Sequence, residues 1–324
     1  MTQSSVARTL ESDDEAKRAH QDFAQSIKNG LARKQKAIPS RFLYDARGSQ
    51  LFEEITRLDE YYPTRTEFEI LKQNASAMAA TTPAGSALVE FGSGSSLKTE
   101  ILLEKLDKLK TYVAIDISGN ALLNATQRLA GAFPKLHVTP IVADFQKPVS
   151  LPCEIKESHK LGFFPGSTIG NFLPLKAVGL LKNMSRTLGP NSRLIIGVDM
   201  KKDRDTLLKA YNDSDGVTAA FNLNLLQRAN TQLGADFDVD AFEHRAVYDE
   251  TLGRIDMYLI SRKRQSVRIN GDVFDFAASE RIHTEHSHKY DVASFKELAQ
   301  QAGWKKRTIW SDINKRFSIF ELTN

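Results

Sequence analysis

The sequence has almost no cysteine and no long hydrophobic run. Cys153 is the single cysteine among 324 residues, so no disulfide forms within one chain, as is usual in a reducing cytosol. No apolar stretch approaches the roughly 20 residues that cross a bilayer, and the first twenty residues lack the apolar core of a signal peptide. We therefore expect a cytoplasmic protein that spans no membrane. No catalytic motif surrounds Cys153.

A bias of charge is also missing. Lys and Arg number 44 against 40 Asp and Glu, the formal net charge is +4, and the two signs are mixed along the chain. A nucleic-acid platform would show basic clustering, so we expect no nucleic-acid partner. The chain contains no evident repeat or low-complexity tract, and its 41% hydrophobic content suits a globular core. We expect a small-molecule partner. We also expect a monomer, although no sequence feature determines the oligomeric state.

From residue 86 the sequence alternates strand and helix patterns. The predicted strands are 87–92, 111–118, 136–145, 160–170 and 192–200, and the predicted helices between them are 96–109, 119–132 and 174–188. Continuous β-branched runs separated by helices of this length indicate a parallel, doubly wound sheet. A helix and two strands at the C-terminus would complete this sheet with a hairpin edge.

The remaining segments follow a different pattern. Helical spacing occurs over 15–35 and 49–58 and resumes at Thr64, while helices over 203–211 and 216–233 precede short, antiparallel-looking strands. We interpret the central segment as an inserted α+β unit on which the N-terminal helices pack. The predicted domains are 66–200 with 289–324, and 14–65 with 201–288.

A glycine turn, Gly92–Thr99, follows the first strand with the sequence GSGSSLKT. The triphosphate loop G-x-x-x-x-G-K-[ST] and the dinucleotide fingerprint G-x-G-x-x-G both require a glycine where Leu97 stands. A Cβ there obstructs a loop that wraps phosphate with its amides. S-adenosylmethionine (SAM) is the ligand that best fits this turn.

Acidic side chains end three successive strands, and their order favours SAM. Glu90 precedes a turn in which Gly92 and Gly94 allow close approach of the backbone to the methionine part. Asp116 could accept hydrogen bonds from both ribose hydroxyls, and Asp144-Phe145 could bind and cover the adenine. In open α/β sheets, ligands bind at this carboxyl edge.

Several motifs together make the sequence resemble a known family. YDARGSQLFEEIT, YYPTRTE, EFGSGSSLKT, FFPGSTIGNF, GVTAAFNLNLL and IHTEHSHKY, at these spacings, are similar to the L-histidine Nα-methyltransferases of ergothioneine biosynthesis, from about residue 40 to the C-terminus. The resemblance implies an α/β fold, with a Rossmann-like class I methyltransferase domain and a second, α+β substrate domain. It also implies three successive methylations of histidine to hercynine, with SAM as the methyl donor.

The resemblance assigns roles to individual residues. The cofactor positions implied by the resemblance would be Gly92, Lys98, Asp116, Asp144 and Phe145. Gly94 of the same turn is added to them because it also allows the backbone to approach the cofactor. The substrate positions would be Tyr61, Asn171, Tyr211, Met257, Glu285 and Ser287. The groups closest to the chemistry at the amine would be Tyr44, Gly166 and Asn171.

The Glu285/Ser287 pair bears on the choice of substrate. On a strand, two residues that are two apart point to one face, and a carboxylate beside a hydroxyl can hydrogen-bond to both ring nitrogens of an imidazole. An indole has one N–H, so the pair favours histidine over tryptophan or a prenylated tryptophan, which remain alternatives. A non-catalytic, cofactor-binding partner of a biosynthetic complex is the alternative of a different class.

A metal site is a competing interpretation of HTEHSH. Strict alternation would put His283 and Glu285 on one face and His286 and His288 on the other, which separates the candidate ligands. We therefore predict no metal among the site residues, although a two-histidine edge stays open.

Overall fold

The computed structural model describes the backbone of residues 3–94 and 96–324, and the side chains of 17–94, 96–119 and 122–324. The chain divides into two compact units. Unit 1 comprises Met1–Tyr61 and Asp203–Ser287, and unit 2 comprises Tyr62–Lys202 and His288–Asn324. No helix within the described residues is long and apolar enough to cross a membrane.

The helices and strands are numbered in chain order. The helices are α1 (Gln3–Leu31), α2 (Ala46–Ile55), α3 (Tyr62–Ala79), α4 (Leu97–Leu103), α5 (Gly119–Ala132), α6 (Pro174–Leu188), α7 (Arg204–Tyr211), α8 (Val217–Leu233) and α9 (Val292–Gln301). The strands are β1 (Lys36–Ala37), β2 (Ala87–Phe91), β3 (Thr111–Asp116), β4 (His137–Val142), β5 (Lys160–Phe164), β6 (Arg193–Asp199), β7 (Phe242–Asp249), β8 (Arg254–Ser261), β9 (Gln265–Ile269), β10 (Asp272–Phe276), β11 (Arg281–His288), β12 (Lys305–Ser311) and β13 (Phe317–Thr323).

Within the described part of the chain, unit 2 is built on a sheet of seven strands in the order β12-β13-β6-β5-β2-β3-β4. The pairs among β2 to β6 are parallel, with Val89 opposite Val113, and β13 joins β6 antiparallel. Parallel strands need helical crossovers, which cover both faces of the sheet. The α/β fold class predicted from the sequence, including its hairpin edge, is confirmed.

Alternate residues of these strands supply two cores, one on each face of the sheet. Val89 and Val113 pack on one face with apolar residues of α6 and α9. Leu88 and Tyr112 pack on the other face with residues of α3, α4 and α5. Because burial on both faces fixes the register, the carboxyl ends of the parallel strands are held at one edge.

Unit 1 has a four-stranded sheet in the order β1-β11-β8-β7 and a separate hairpin of β9 and β10. The turn of that hairpin places Asn270 at φ 48° and Gly271 at φ 88°, the conformation that two-residue hairpin turns favour. The N-terminal part packs on α8, where Arg228 donates to the carbonyl of Phe42 at 2.8 Å and Asn224 donates to Asp45 at 2.8 Å. The predicted α+β character of this segment is confirmed.

The strand predicted over 160–170 ends at Phe164, because the loop of Gly166 and Ser167 turns away in left-handed backbone. Two other predicted elements are also clearly shorter than their apolar spacing suggested. The helix predicted over 96–109 ends at Leu103. Two single turns follow, in which the N–H of Leu106 donates to the carbonyl of Leu103 and the N–H of Leu109 donates to the carbonyl of Leu106. The strand predicted over 136–145 ends at Val142, because the chain turns at Asp144. In both cases the turn that follows carries apolar side chains at spacings similar to those of the predicted helix or strand, so the apolar pattern continues past the end of the element.

Candidate functional site

The glycine turn after β2 lies at the carboxyl edge of the parallel sheet, in left-handed backbone. Gly92 has φ 72° and Gly94 has φ 49°. The N–H of Gly92 donates to the carbonyl of Ile115 at 2.8 Å, which ties the turn to β3. A Cβ on Gly92 would stand 3.3 Å from Phe145 Cε1, whereas one on Gly94 would meet nothing within 4 Å. Ser95, within the predicted turn, lies outside the described residues.

Asp116 lies at the end of β3, beside this turn. Its Oδ2 accepts from the N–H of Gly94 at 3.1 Å, and its Oδ1 accepts from the N–H of Ser118 at 2.9 Å. An ionised carboxylate offers about four acceptor positions, so two backbone bonds leave capacity for a ligand. That capacity fits a pair of ribose hydroxyls.

Asp144 and Phe145 follow β4. Asp144 is exposed, and its Oδ1 accepts from the N–H of Gln146 at 2.9 Å, an ordinary turn interaction. The half-buried ring of Phe145 meets Phe164 edge-on, with 5.6 Å between centroids. The open glycine turn, the remaining acceptor positions of Asp116 and this ring together fit the predicted cofactor.

Lys98 has a partner that the sequence analysis missed. Its Nζ lies 2.5 Å from Oε2 of Glu67, whose side chain is fully buried on α3. Both oxygens of Glu67 also accept from the N–H of Gly166, at 3.0 and 2.9 Å. One buried carboxylate therefore joins the helix after the glycine turn to the loop after β5. Glu67 lies in the quoted motif YYPTRTE, and that is the signal that could have identified it.

The loop after β5 carries Gly166 and Asn171. Gly166 has φ 81° and Ser167 has φ 56°, and a short 3-10 turn over Thr168–Asn171 follows. The Oγ of Ser167 accepts from the N–H of Asp199 at 2.9 Å, which fixes this loop to the end of β6. Asn171 is half-buried at the end of the turn.

Glu90 is buried in the strand before the glycine turn. Thr99 donates to its Oε1 at 2.6 Å, and the hydroxyl of Tyr112 donates to its Oε2. Burial, the largest effect, raises the pKa of Glu90 to about 7, against these two hydrogen bonds. Glu90 thus links the end of β2 to α4 and β3.

In unit 1, Tyr44 and Glu285 interact directly. The side chains of the two residues are hydrogen-bonded, and the pKa of Tyr44 is raised well above its usual value, first by burial and then by the negative charge of Glu285. Tyr44 therefore stays a neutral phenol, whose hydroxyl group donates a hydrogen bond to the carboxylate of Glu285. Glu285 is buried on β11.

Tyr211 and Ser287 form a second polar pair in unit 1. The hydroxyl of Tyr211 donates to Oγ of Ser287 at 3.1 Å, and both residues are buried. The backbone carbonyl of Tyr211 accepts from Nε2 of His244 at 2.8 Å. Since the carbonyl only accepts, Nδ1 of His244 is the acceptor for Asn222 Nδ2 at 2.9 Å. Burial lowers the pKa of His244, which favours this neutral form. The sequence analysis missed both His244 and Asn222.

Aromatic rings surround these polar pairs. Tyr44 meets Phe52 and Phe221 edge-on, at centroid distances of 5.5 and 5.4 Å. Tyr61 meets Phe52 at 6.2 Å and Tyr211 at 6.2 Å. Phe52 and Phe221 were not predicted, although both lie in quoted motifs. Apolar surroundings strengthen the polar interactions that they enclose.

Met257 is buried on β8, next to β11 in the sheet. Its carbonyl accepts from Oγ1 of Thr284 at 3.2 Å, and Ala246 of β7 lies opposite it. The predicted substrate residues of unit 1 therefore come from β8, β11, the end of α7 and the segments on either side of α2.

The predicted separation of the histidines of β11 is wrong. The rings of His283 and His286 stack with 5.7 Å between centroids and 21° between planes, so both lie on one side. Thr284 and Glu285, between them, are both buried. Strict alternation along the strand is broken there, and a period of two no longer describes which side chains meet.

Comparison with known proteins gives a consistent result. The model of a family described as histidine-specific, SAM-dependent methyltransferases matches residues 23–324. The chain is 37% identical to a histidine N-alpha-methyltransferase of Mycolicibacterium smegmatis, over 97% of this chain and 98% of that protein. It is 36% identical to the protein of that name from Mycobacterium tuberculosis, over 93% and 94%. Ergothioneine biosynthesis protein 1 of Neurospora crassa is 33% identical over 86% of this chain, which covers 32% of that longer protein.

Proposed function

The chain belongs to the family of histidine-specific, SAM-dependent methyltransferases, and we propose that it trimethylates the α-amine of L-histidine to hercynine, a step of ergothioneine biosynthesis. Unit 2 supplies the residues that bind SAM: the glycine turn, Lys98, Asp116, Asp144 and Phe145. The residues proposed to bind the amino acid are Tyr61, Asn171, Tyr211, Met257, Glu285 and Ser287.

The observation that carries the substrate assignment is the pair of polar contacts on β11. Glu285 is hydrogen-bonded to Tyr44, and Ser287 accepts from Tyr211. The carboxylate can accept from the N–H of a neutral imidazole, and the hydroxyl, two residues away, can donate to the other ring nitrogen. Leaving a buried polar group unsatisfied costs about 1–3 kcal/mol, and more for a charged one. An indole, with one N–H, would incur that cost.

Bound SAM supplies a methyl group that its sulfonium already activates toward displacement. The chain's own residues have to orient the acceptor, because attack requires a neutral amine with its lone pair about 3–3.5 Å from the carbon. We assign the orientation of the amine to Asn171 and to the loop of Gly166. Tyr44 is a neutral hydroxyl group, so it can pass a proton by hydrogen bonding but does not act as a phenolate base.

The direct test is mass spectrometry of mixtures of the purified protein, SAM and one amino acid. With L-histidine we expect species that carry one, two and then three added methyl groups. Tryptophan and tyrosine, assayed in parallel, should stay unmodified. Methylation of tryptophan instead would refute the assignment of Glu285, and SAM binding without turnover on any amino acid would refute the enzymatic function.

Variants then test the individual residues. Tyr211→Phe removes the hydroxyl that donates to Ser287, and Asn171→Ala removes the amide proposed to hold the amine. Both should weaken the binding of histidine, measured by calorimetry. Tyr248→Phe, on β7 and outside the proposed site, is the matched control. If Tyr211→Phe or Asn171→Ala keeps full affinity for histidine, its role in binding is wrong.

The cytoplasmic location and the monomeric state remain proposals. Size-exclusion chromatography with light scattering, at the concentration used in the assay, tests the second. A mass near 36.2 kDa is the expected result.

A further inference from the structure

Three potential metal ligands lie close together on unit 1, and none of them is assigned above to substrate or cofactor. Asp256 of β8 and the two histidines of β11, His283 and His286, bring one ligand atom each to within 4.8 Å of the others. We propose that these residues form a binding site for one divalent transition metal ion of the zinc class, which ties β8 to β11.

The distances suit a small ion with mixed nitrogen and oxygen ligands. Nε2 of His283 lies 2.9 Å from Oδ1 of Asp256. Ligand atoms of a tetrahedral zinc, each about 2.0–2.1 Å from the metal, are separated by about 3.3 Å. An ion can therefore take the place of the shared proton after a small opening, and a rotation of the His286 ring completes the set.

Neighbouring groups hold the ligands in position. Nε of Arg254 donates to the other carboxylate oxygen of Asp256, Oδ2, at 2.9 Å, which leaves Oδ1 toward His283. The ring of His283 contacts that of Tyr258 edge-on and stacks on that of His286, with centroid distances of 5.3 and 5.7 Å. Outer contacts of this kind orient the ligands of metal sites.

The stacking of the two histidines favours a metal over a simple ion pair. An ion pair would involve His283 and Asp256 alone, whereas the ring of His286 stacks on that of His283 at 21° and brings a second imidazole to the same carboxylate. A metal ion binds both rings in their neutral form and adds positive charge next to a buried carboxylate. Two imidazoles and one carboxylate suit zinc and its neighbours rather than Mg²⁺ or Ca²⁺, which prefer oxygen.

The test is a titration of the full-length, tag-free chain with ZnCl₂ by calorimetry. All proteins carry Cys153→Ser, because that exposed thiol is itself a zinc ligand. We expect one zinc ion per chain, binding at least tenfold weaker in His283→Gln and in His286→Gln. His137→Gln, an exposed histidine on β4, is the matched control and should bind zinc unchanged. Equal affinity in all four proteins, or no binding, would overturn the proposal.

Two further measurements test the site without relying on the fold of a variant. One equivalent of ZnCl₂ should raise the Tm of the Cys153→Ser protein, because an ion that binds only the folded chain stabilises it, whereas MgCl₂ should not. CoCl₂ should give visible absorption of a four-coordinate nitrogen and oxygen site. No shift in Tm, or the spectrum of hexa-aqua cobalt alone, contradicts the assignment.

Discussion

The carboxylate of Glu67 should contribute more to the stability of unit 2 than any exposed charge on its helix. It is fully buried, accepts twice from the N–H of Gly166, and lies 2.5 Å from Nζ of Lys98. The backbone of β6 closes the space around it, since a Cβ on Gly197 would come within 2.0 Å of Oε1. Glu67→Ala therefore removes an anion from a site that water cannot easily fill.

The magnitude follows from what the substitution leaves behind. Removing one partner of a buried ion pair costs about 3–5 kcal/mol. The side chain of Lys98 is 18% exposed and can recover part of its hydration, so we expect about 3 kcal/mol for Glu67→Ala. Glu67→Gln keeps an acceptor for Gly166 and loses the charge, and hydrogen bonds to charged groups contribute about 1.5–3 kcal/mol. We expect about 2 kcal/mol for it.

Tryptophan fluorescence provides an assay specific to unit 2. The chain has two tryptophans, Trp304 and Trp310, and both belong to unit 2. Urea unfolding followed by their emission therefore reports the unit that contains Glu67. Glu69→Gln, an exposed position on the same helix, is the matched control and should change the free energy of unfolding by less than about 0.5 kcal/mol.

A second measurement connects this contact to function. Since the carboxylate of Glu67 holds Lys98 and Gly166, the affinity for SAM, measured by calorimetry, should fall in both Glu67 variants. If Glu67→Ala unfolds at the same urea concentration as Glu69→Gln and binds SAM normally, the argument from burial is wrong.

Three further predictions follow from the structure. Gly92→Ala strains a backbone at φ 72° and brings a Cβ within 3.3 Å of Phe145, so the affinity for SAM should fall. The control Gly85→Ala, at φ 77° with nothing within 4 Å of the added Cβ, should keep the affinity for SAM. Equal affinities in the two variants would contradict this prediction. Burial raises the pKa of Glu90 from 4.5 to about 7, so the folded protein binds the proton more tightly than the unfolded chain does. The free energy of unfolding should therefore fall by at most about 3 kcal/mol between pH 5 and pH 8, a fall that urea titrations of Glu90→Gln should lack. His244→Leu removes the donor to the carbonyl of Tyr211, so KM for histidine should rise. The affinity for SAM, measured by calorimetry, should stay the same. A change in the affinity for SAM alone would refute the role of His244 in positioning Tyr211.

The resemblance that the motifs suggested is confirmed by the family match, and with it the class of enzyme, a histidine-specific methyltransferase that uses SAM. Motif spacing could reveal the family and the cofactor because, in this fold, the residues that bind the cofactor directly follow the parallel strands in the sequence. The individual site residues stay predictions, and the experiments above test them.

The sequence by itself determined the succession of strands and helices along the chain, since apolar periodicity and glycine turns are local properties, whereas the order of the strands within the sheet came from the structure. Tertiary structure alone brought Glu67 to Lys98 and Gly166. It also brought His244 to Tyr211 and Asn222 to His244, because these contacts join residues more distant in sequence than a local pattern reaches. It also decided the side on which His283 and His286 meet. A period of two assumes an ideal strand, and the packing of two consecutive buried residues, Thr284 and Glu285, overrode it.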